Sequence, residues 1–405
     1  MKVVFLSPTY PTEMLEFTRG LSEVGAQVYG VSDAAYSSLP ASVKQHLTGY
    51  LQVPRLLDED DVMNRVSHWL KGTTVDRVVA NWEPLVLLAA RLRERWSLPG
   101  MAFDVVLGFR DKQLMKERVQ AAGLRVPRSH RVKSARDAYV GAEAIGYPLV
   151  IKPIAGAGSA DTYVVASEQE LTRVLGLMHS VPEAVIEEFI EGVEYTYDAV
   201  SVQGTPRIES VMQYFPKPLE ARTHEWISPG QVTIRDLSQS HLQPGIELGR
   251  NVLKALGMGE GYSHMEWFLT PNGEAVFSEV GCRSGGGFIV DQINYCADID
   301  SFREWARAVC WHDVEVSSVR KYNVAGVFKR AAGRGRITRI DGLLPFMKEF
   351  GPYVVQERLS RPGTMRRNWK QTLISDGWIM MRHPDWDTAL HMMREAARRI
   401  SLTAE

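Results

Sequence analysis

The chain has 405 residues, with 47 Lys and Arg against 48 Asp and Glu, and 45% of its residues are hydrophobic. That length calls for two or three cores rather than one, and a net charge of −1 argues against a dedicated nucleic-acid binder. No apolar run approaches the roughly 20 residues that span a bilayer, and no secretory leader is evident before the first strand-like run, so a cytoplasmic protein with no membrane partner is expected. Three cysteines, Cys282, Cys296 and Cys310, form no CxxC pair and fit a reducing compartment better than a disulfide scaffold.

The first hundred residues alternate strand and helix. Val3 to Ser7 is a short apolar run, a helix is expected over 12–24 and closed by Gly25, and a second strand covers Gln27 to Val31. Asp76 to Ala80 reads as a later buried strand, followed by a helix from Pro84 to Arg95. Such alternation predicts a small parallel sheet wrapped by helices. No GxGxxG follows the first strand, so no dinucleotide site is expected there, and Asp33 reads more readily as a turn former than as a ribose-binding acid.

From Phe103 the motifs become more specific. A helix is expected from Asp111 to Ala121, stopped by Gly123, with Lys112 in the first turn, where free amides and the macrodipole favour an anion. The run YPLVIKPIAGAGSADTYVV ends an apolar strand at Lys152 and continues into a small-residue loop with Gly156, Gly158 and Ser159. Backbone amides in such a loop can lie over phosphates while an ammonium neutralises charge, although a hairpin tip has the same composition. In AVIEEFIEGVEYTYDAV, a strand over 184–187 reaches a crossing at Glu188, Phe189 and Ile190 before a second strand over 194–200. Backbone groups beside Phe189 and Ile190 can pair with a base edge, and Glu187 and Glu194 can accept from amine and hydroxyl donors. A solvated acidic edge is the plainer reading of those acids.

Residues 212–231, rich in Pro with Lys217, Arg222, His224 and Trp226, read as a loop near a substrate opening. A helix over 242–256 follows. Ser263 to Phe288 then places Glu266 and Glu279 on two strands joined at Pro271-Asn272-Gly273, so a hairpin brings both carboxylates to one side. Hard divalent cations take oxygen ligands of this kind. Beyond them stand Arg283, suited to a carboxylate or phosphate, and Gly285, Gly286 and Gly287, which allow close approach of backbone amides to an anion. After residue 310 a strand at Val324 to Phe328, a Gly/Arg turn over 331–336, further short strands from Arg339 and an amphipathic helix over 385–399 are expected. Lys329, Arg330, Arg334, Arg336 and Arg339 form one basic cluster and Arg361, Arg366, Arg367 and Lys370 another, read as solvated charge or as neutralisation of an anionic substrate.

The order and spacing of DKQLMKERVQAAGLRVP, YPLVIKPIAGAGS, VIEEFIEGVEYTYD and HMEWFLTPNGEAVFSEVGCRSGGG resemble the ATP-grasp superfamily of carboxylate–amine ligases. The resemblance implies a mixed α/β and α+β chain: a Rossmann-like pre-ATP-grasp domain at 1–105, a small lobe at 106–190, a large lobe with a metal site at 191–315 and a strand-rich C-terminal domain at 316–405. Carried over position by position, it implies that Lys112 and Lys152 contact ATP phosphates and act with Arg283 in catalysis. It makes Gly156, Gly158 and Ser159 the phosphate cover, gives adenine to Glu187, Phe189 and the backbone of Glu188 and Ile190, and gives the ribose to Glu194. Glu266 and Glu279 become ligands of Mg²⁺, with Mn²⁺ as a substitute, and Arg283, His264, Gly285 and Gly286 face the substrate.

One departure stands out. The family's usual Glu-x-Asn is here Glu279-Val280-Gly281, which removes an expected amide ligand and puts a second metal ion in doubt. The implied reaction activates a small carboxylate, such as that of an amino acid or small peptide, as an acyl phosphate and joins it to an amine. ATP-driven carboxylation with bicarbonate and a non-catalytic nucleotide-binding module are the alternatives. The apolar positions of the N-terminal helices leave room for a homodimer.

Overall fold

The computed structural model describes residues 1–154, 161–316, 319–370, 372 and 374–405. The first 80 residues build a four-stranded parallel sheet from β1 (Lys2–Leu6), β2 (Gln27–Ser32), β3 (Gly49–Gln52) and β4 (Arg77–Ala80), in the order β3-β2-β1-β4. Val3, Val4, Phe5 and Leu6 are wholly buried, as expected for a central strand covered on both faces. Parallel neighbours need crossovers, and these run through the helices Met14–Glu23, Ala41–Lys44 and Glu59–Trp69. Asn81, Trp82 and Glu83 leave the carboxyl end of β4, the end of a parallel sheet at which ligands gather.

A second, antiparallel sheet follows: β5 (Ser129–Val132), β6 (Leu149–Pro153), β7 (Tyr163–Val165) and β8 (Ala184–Glu188), in the order β5-β8-β6-β7. Its two helices start where a serine side chain accepts from a backbone amide three residues on, Ser134 from Asp137 and Ser167 from Glu170.

The third sheet has eight antiparallel strands. It contains β9 (Val193–Val202), β10 (Thr205–Phe215), β11 (Gly230–Thr233), β12 (Gly261–Leu269), β13 (Ala275–Gly281), β14 (Asn323–Phe328) and, after the short β15 (Ala332–Gly333) and β16 (Ile337–Asp341), β17 (Val354–Glu357) and β18 (Trp378–His383). The order is β13-β12-β9-β10-β11-β14-β18-β17, so three strands from beyond residue 316 continue the sheet that carries the Glu266 hairpin. The last strand, β19 (Ser401–Ala404), closes a separate three-stranded sheet between β15 and β16. Helix Gln243–Leu256 lies so close to the large sheet that a Cβ on Gly245 would fall 2.1 Å from Trp267 and one on Gly249 2.4 Å from Tyr197. Only glycine at those two positions lets the helix seat on the aromatic rings.

Two local expectations need correction. The loop expected over 212–231 is narrower, because β10 continues to Phe215, a short helix spans Pro218–Ala221 and β11 begins at Gly230. The short strands expected directly after Arg339 are interrupted by helix Leu343–Phe350. Pro345 reads as punctuation in sequence, yet in a first helical turn its missing amide hydrogen has no partner to lose.

Candidate functional site

Between the β5–β8 sheet and the large sheet lies a cleft partly open to solvent. Its floor is an alternating chain of charges from four elements. Asp111 caps helix Lys112–Ala121, accepting from the amides of Gln113 and Leu114 at 3.0 Å each, and this aims Lys112 from the first turn. Lys112 Nζ stands 3.0 Å from Glu279 Oε2, and Lys152 Nζ, at the end of β6, stands 3.7 Å from the same oxygen. Lys152 Nζ is also 3.0 Å from Glu187 Oε2, and the other oxygen of Glu187 accepts from Lys116. Lys116 lies one helical turn beyond Lys112, so both lysines emerge on one face.

Burial of this chain is compensated pair by pair. Burial alone would push the Glu187 carboxyl up, but Lys116 and Lys152 outweigh it and hold the group below its ordinary range. The Glu279 carboxyl is likewise held well below that range, as Lys112 and Lys152 more than offset burial. Lys116 is pushed down to about 8, chiefly by burial and only partly restored by Glu187. Glu194 also lines the cleft, but there burial, then the Glu266 charge, outweigh the pull of Lys217 and Lys152 and push it up to about 8.

Phe189 and Ile190 line the cleft. Both oxygens of Glu187 are engaged by lysines, and the Glu188 side chain is turned to Arg125 at 2.9 Å and to the Arg128 amide at 3.1 Å. Gly156, Gly158 and Ser159 lie outside the described residues.

The hairpin places its acids as the spacing predicts. β12 and β13 pair Glu266 directly with Glu279, and both side chains reach the cleft. Among the described residues no group of three or more His, Cys, Asp or Glu side chains is gathered to hold a metal alone. Two facing carboxylates fit a hard cation whose remaining ligands are phosphate oxygens and water. His264, two residues before Glu266, is buried with Nδ1 2.7 Å from Asp198 Oδ1 and Nε2 3.7 Å from Glu266 Oε1. Burial lowers its affinity for a proton, but Asp198 overrides this and raises the imidazole to about 9. The Tyr214 hydroxyl donates to Glu266 Oε1 at 3.4 Å from β10.

Arg283 follows the hairpin and is fixed by the turn after β4. Its Nε donates to Glu83 Oε2 at 2.5 Å, and Arg110 holds the other oxygen of Glu83. Burial would push the Glu83 carboxyl up, but Arg283 and Arg110 keep it low. Asn81 anchors the next residue, donating to Ser284 Oγ at 2.9 Å and accepting from its amide at 2.8 Å. A Cβ on Gly285 would lie 2.8 Å from His264 Nδ1, whereas Gly286 has open space, so the two glycines do different work.

Sequence reasoning missed Lys116, Glu83, Arg110 and Asp198. Lys116 carried a usable signal, four residues after Lys112 on a helix; the others depend on contacts between distant segments, which no local pattern announces.

A family model described as an ATP-grasp domain matches residues 145–292. The chain is 22% identical over 298 residues to an L-arginine-specific L-amino acid ligase of Bacillus subtilis, covering 72% of this chain and 69% of that protein. It is 25% identical over 273 residues to an alanine–anticapsin ligase of Bacillus subtilis, covering 62% of this chain and 58% of that protein, so it spans little more than half of the latter. An L-amino acid ligase from Bacillus licheniformis superposes with a TM-score of 0.80 at 19% identity, over 100% of this chain and 98% of the other. An N5-carboxyaminoimidazole ribonucleotide synthetase from Thermotoga maritima gives 0.72 at 16% identity, over 100% and 99%.

Proposed function

We propose that this chain, whose residues 145–292 match a family model described as an ATP-grasp domain, is an ATP-dependent ligase joining a small carboxylic acid to an amine. The observation that carries this reading is the meeting of Lys112 and Lys152 on Glu279, with Glu266 opposite, in one cleft. The similarity to amino acid ligases supports the choice of acid, an amino acid or small peptide.

In this reading the nucleotide base meets the backbone around Glu188 to Ile190, and Glu194 faces the ribose. Lys112 and Lys152 turn from Glu279 to the phosphate oxygens, where their charge stabilises the transferring group. Glu266 and Glu279 would hold Mg²⁺ or Mn²⁺, which supplies further neutralisation of the phosphates when bound. A carboxylate oxygen of the acid, steered by Arg283, attacks the γ-phosphorus, and the bond to ADP breaks. The amine then attacks the carbonyl carbon of the acyl phosphate, phosphate leaves with the bonding pair, and the amine gives up a proton as the amide forms. Lys116 keeps Glu187 ionised, and Glu187 in turn keeps Lys152 in place.

The test is ADP and phosphate release from ATP and Mg²⁺ over a panel of single and paired amino acids, with bicarbonate as a separate arm. Release that requires an amino acid and yields an amide supports the ligase. Release driven by bicarbonate alone, or nucleotide binding with no release across the panel, would overturn it.

A further inference from the structure

The segment 216–229 and the C-terminal residues bring together two arginines that form no ion pair with a carboxylate among the described residues. Arg222 follows the short helix Pro218–Ala221, and Lys217 and Leu219 beside it line the cleft. Arg330, just beyond β14, reaches the same place: its Nη1 donates to the carbonyls of Ala221 at 2.8 Å and His224 at 2.9 Å. Its guanidinium lies 4.7 Å from the centre of the Trp369 ring. Arg222 Nη1 donates to the Lys370 carbonyl at 3.3 Å.

Neither guanidinium pairs with a carboxylate among the described residues; the neighbouring Glu225 stands against Arg366, with its buried Oε1 making no hydrogen bond among them. Among the described residues the buried Nε of each has no acceptor. Burial and then repulsion from Arg222 push Arg330 down to about 10, and burial lowers Arg222 as well, with Asp161 attracting it. Other cations of the two basic segments are engaged: Lys329 donates to Ser228 and to the Ala397 carbonyl, Arg336 to Gly363, Arg339 to Asp341 and Arg361 to Glu357. Two half-buried like charges side by side are unfavourable unless something shared offsets them, and an oxyanion does so with charge-assisted hydrogen bonds.

We propose that Arg222 and Arg330 form an oxyanion subsite beside the cleft, taking a carboxylate or phosphate that a substrate carries remote from its reacting carboxyl. The bearer's identity rests on the ligase reading; the binding of the anion does not. A planar guanidinium pair suits either oxyanion, so the source is decided by competition with nucleotide.

The experiment is calorimetric titration of the full chain with inorganic phosphate and with glutarate, in the absence and presence of saturating ADP and Mg²⁺. Wild type is expected to bind both anions with nucleotide present, and Arg222→Gln and Arg330→Gln are each expected to weaken binding about tenfold or more, with nucleotide affinity unchanged. Equal anion affinity in wild type and Arg222→Gln overturns the proposal. So does anion binding that disappears when nucleotide is present, which would assign these arginines to the nucleotide's own phosphates. If Arg330→Gln fails to fold, Arg222→Gln decides alone. The titrations need no turnover, so a chain that releases no ADP with any acid leaves this result standing, and the reverse also holds.

Discussion

Glu83 Oε2 accepts from Arg283 Nε at 2.5 Å, and the same oxygen stands 3.1 Å from where a Cβ on residue 281 would begin. The space in which a longer side chain at 281 would present an amide oxygen is thus held by a carboxylate from the turn after β4. Gly281 and Glu83 form a matched pair, and changing one has to disturb the other.

Gly281→Asn is accordingly expected to lower stability by about 1–3 kcal/mol through crowding of Glu83, and to add no second metal. Urea unfolding and counting of bound Mn²⁺ in the presence of ADP check the two parts. A variant as stable as wild type that binds an additional ion would show that Glu83 yields freely.

Glu83→Gln leaves Arg110 and Arg283 facing each other without their shared counter-charge. A loss of about 3 kcal/mol is expected, with KM for the acid rising about tenfold as Arg283 loosens and KM for ATP little changed. Glu83→Asp should recover part of the KM effect. Lost stability with an unaltered KM would make Glu83 a purely structural anchor.

Glu279→Gln removes the negative charge on which Lys112 and Lys152 converge. Turnover at saturating ATP is expected to fall about a hundredfold, with more Mg²⁺ needed to reach half-maximal rate. Near-normal turnover at ordinary Mg²⁺ would mean that this carboxylate faces no nucleotide.

Glu194 gives the protein a pH dependence of known sign. Folded, its carboxyl keeps a proton up to about pH 8 because of burial and the Glu266 charge; its ordinary value is 4.5. Between those values the folded state binds more protons than the unfolded one, so this group's contribution to stability falls as pH rises. Glu194→Gln should match wild type near pH 4.5 and exceed it increasingly toward pH 8, as read by denaturant melts without nucleotide. Parallel stability curves would place the proton elsewhere.

Gly245→Ala tests the seating of helix Gln243–Leu256. Its new methyl would meet Trp267 at 2.1 Å, against ring carbons with no room to retreat. A loss of about 3 kcal/mol is expected by chemical unfolding. An unchanged midpoint would show that the helix can lift from the sheet.

What the amino-acid order determined by itself was much of what depends on near neighbours, helix Leu343–Phe350 being an exception. The strand ending in Lys152, the helix opening at Lys112 and the hairpin that pairs Glu266 with Glu279 follow from periodicity, a capping aspartate and a Pro-Asn-Gly turn, all acting within a dozen or so residues. Tertiary structure alone decided which charges meet. Glu83 reaches Arg283 across 200 positions, Lys116 reaches Glu187 across 71, and Asp198 reaches His264 across 66. An ion pair buried away from water is set by where whole sheets come to rest, and local composition holds no record of that distance.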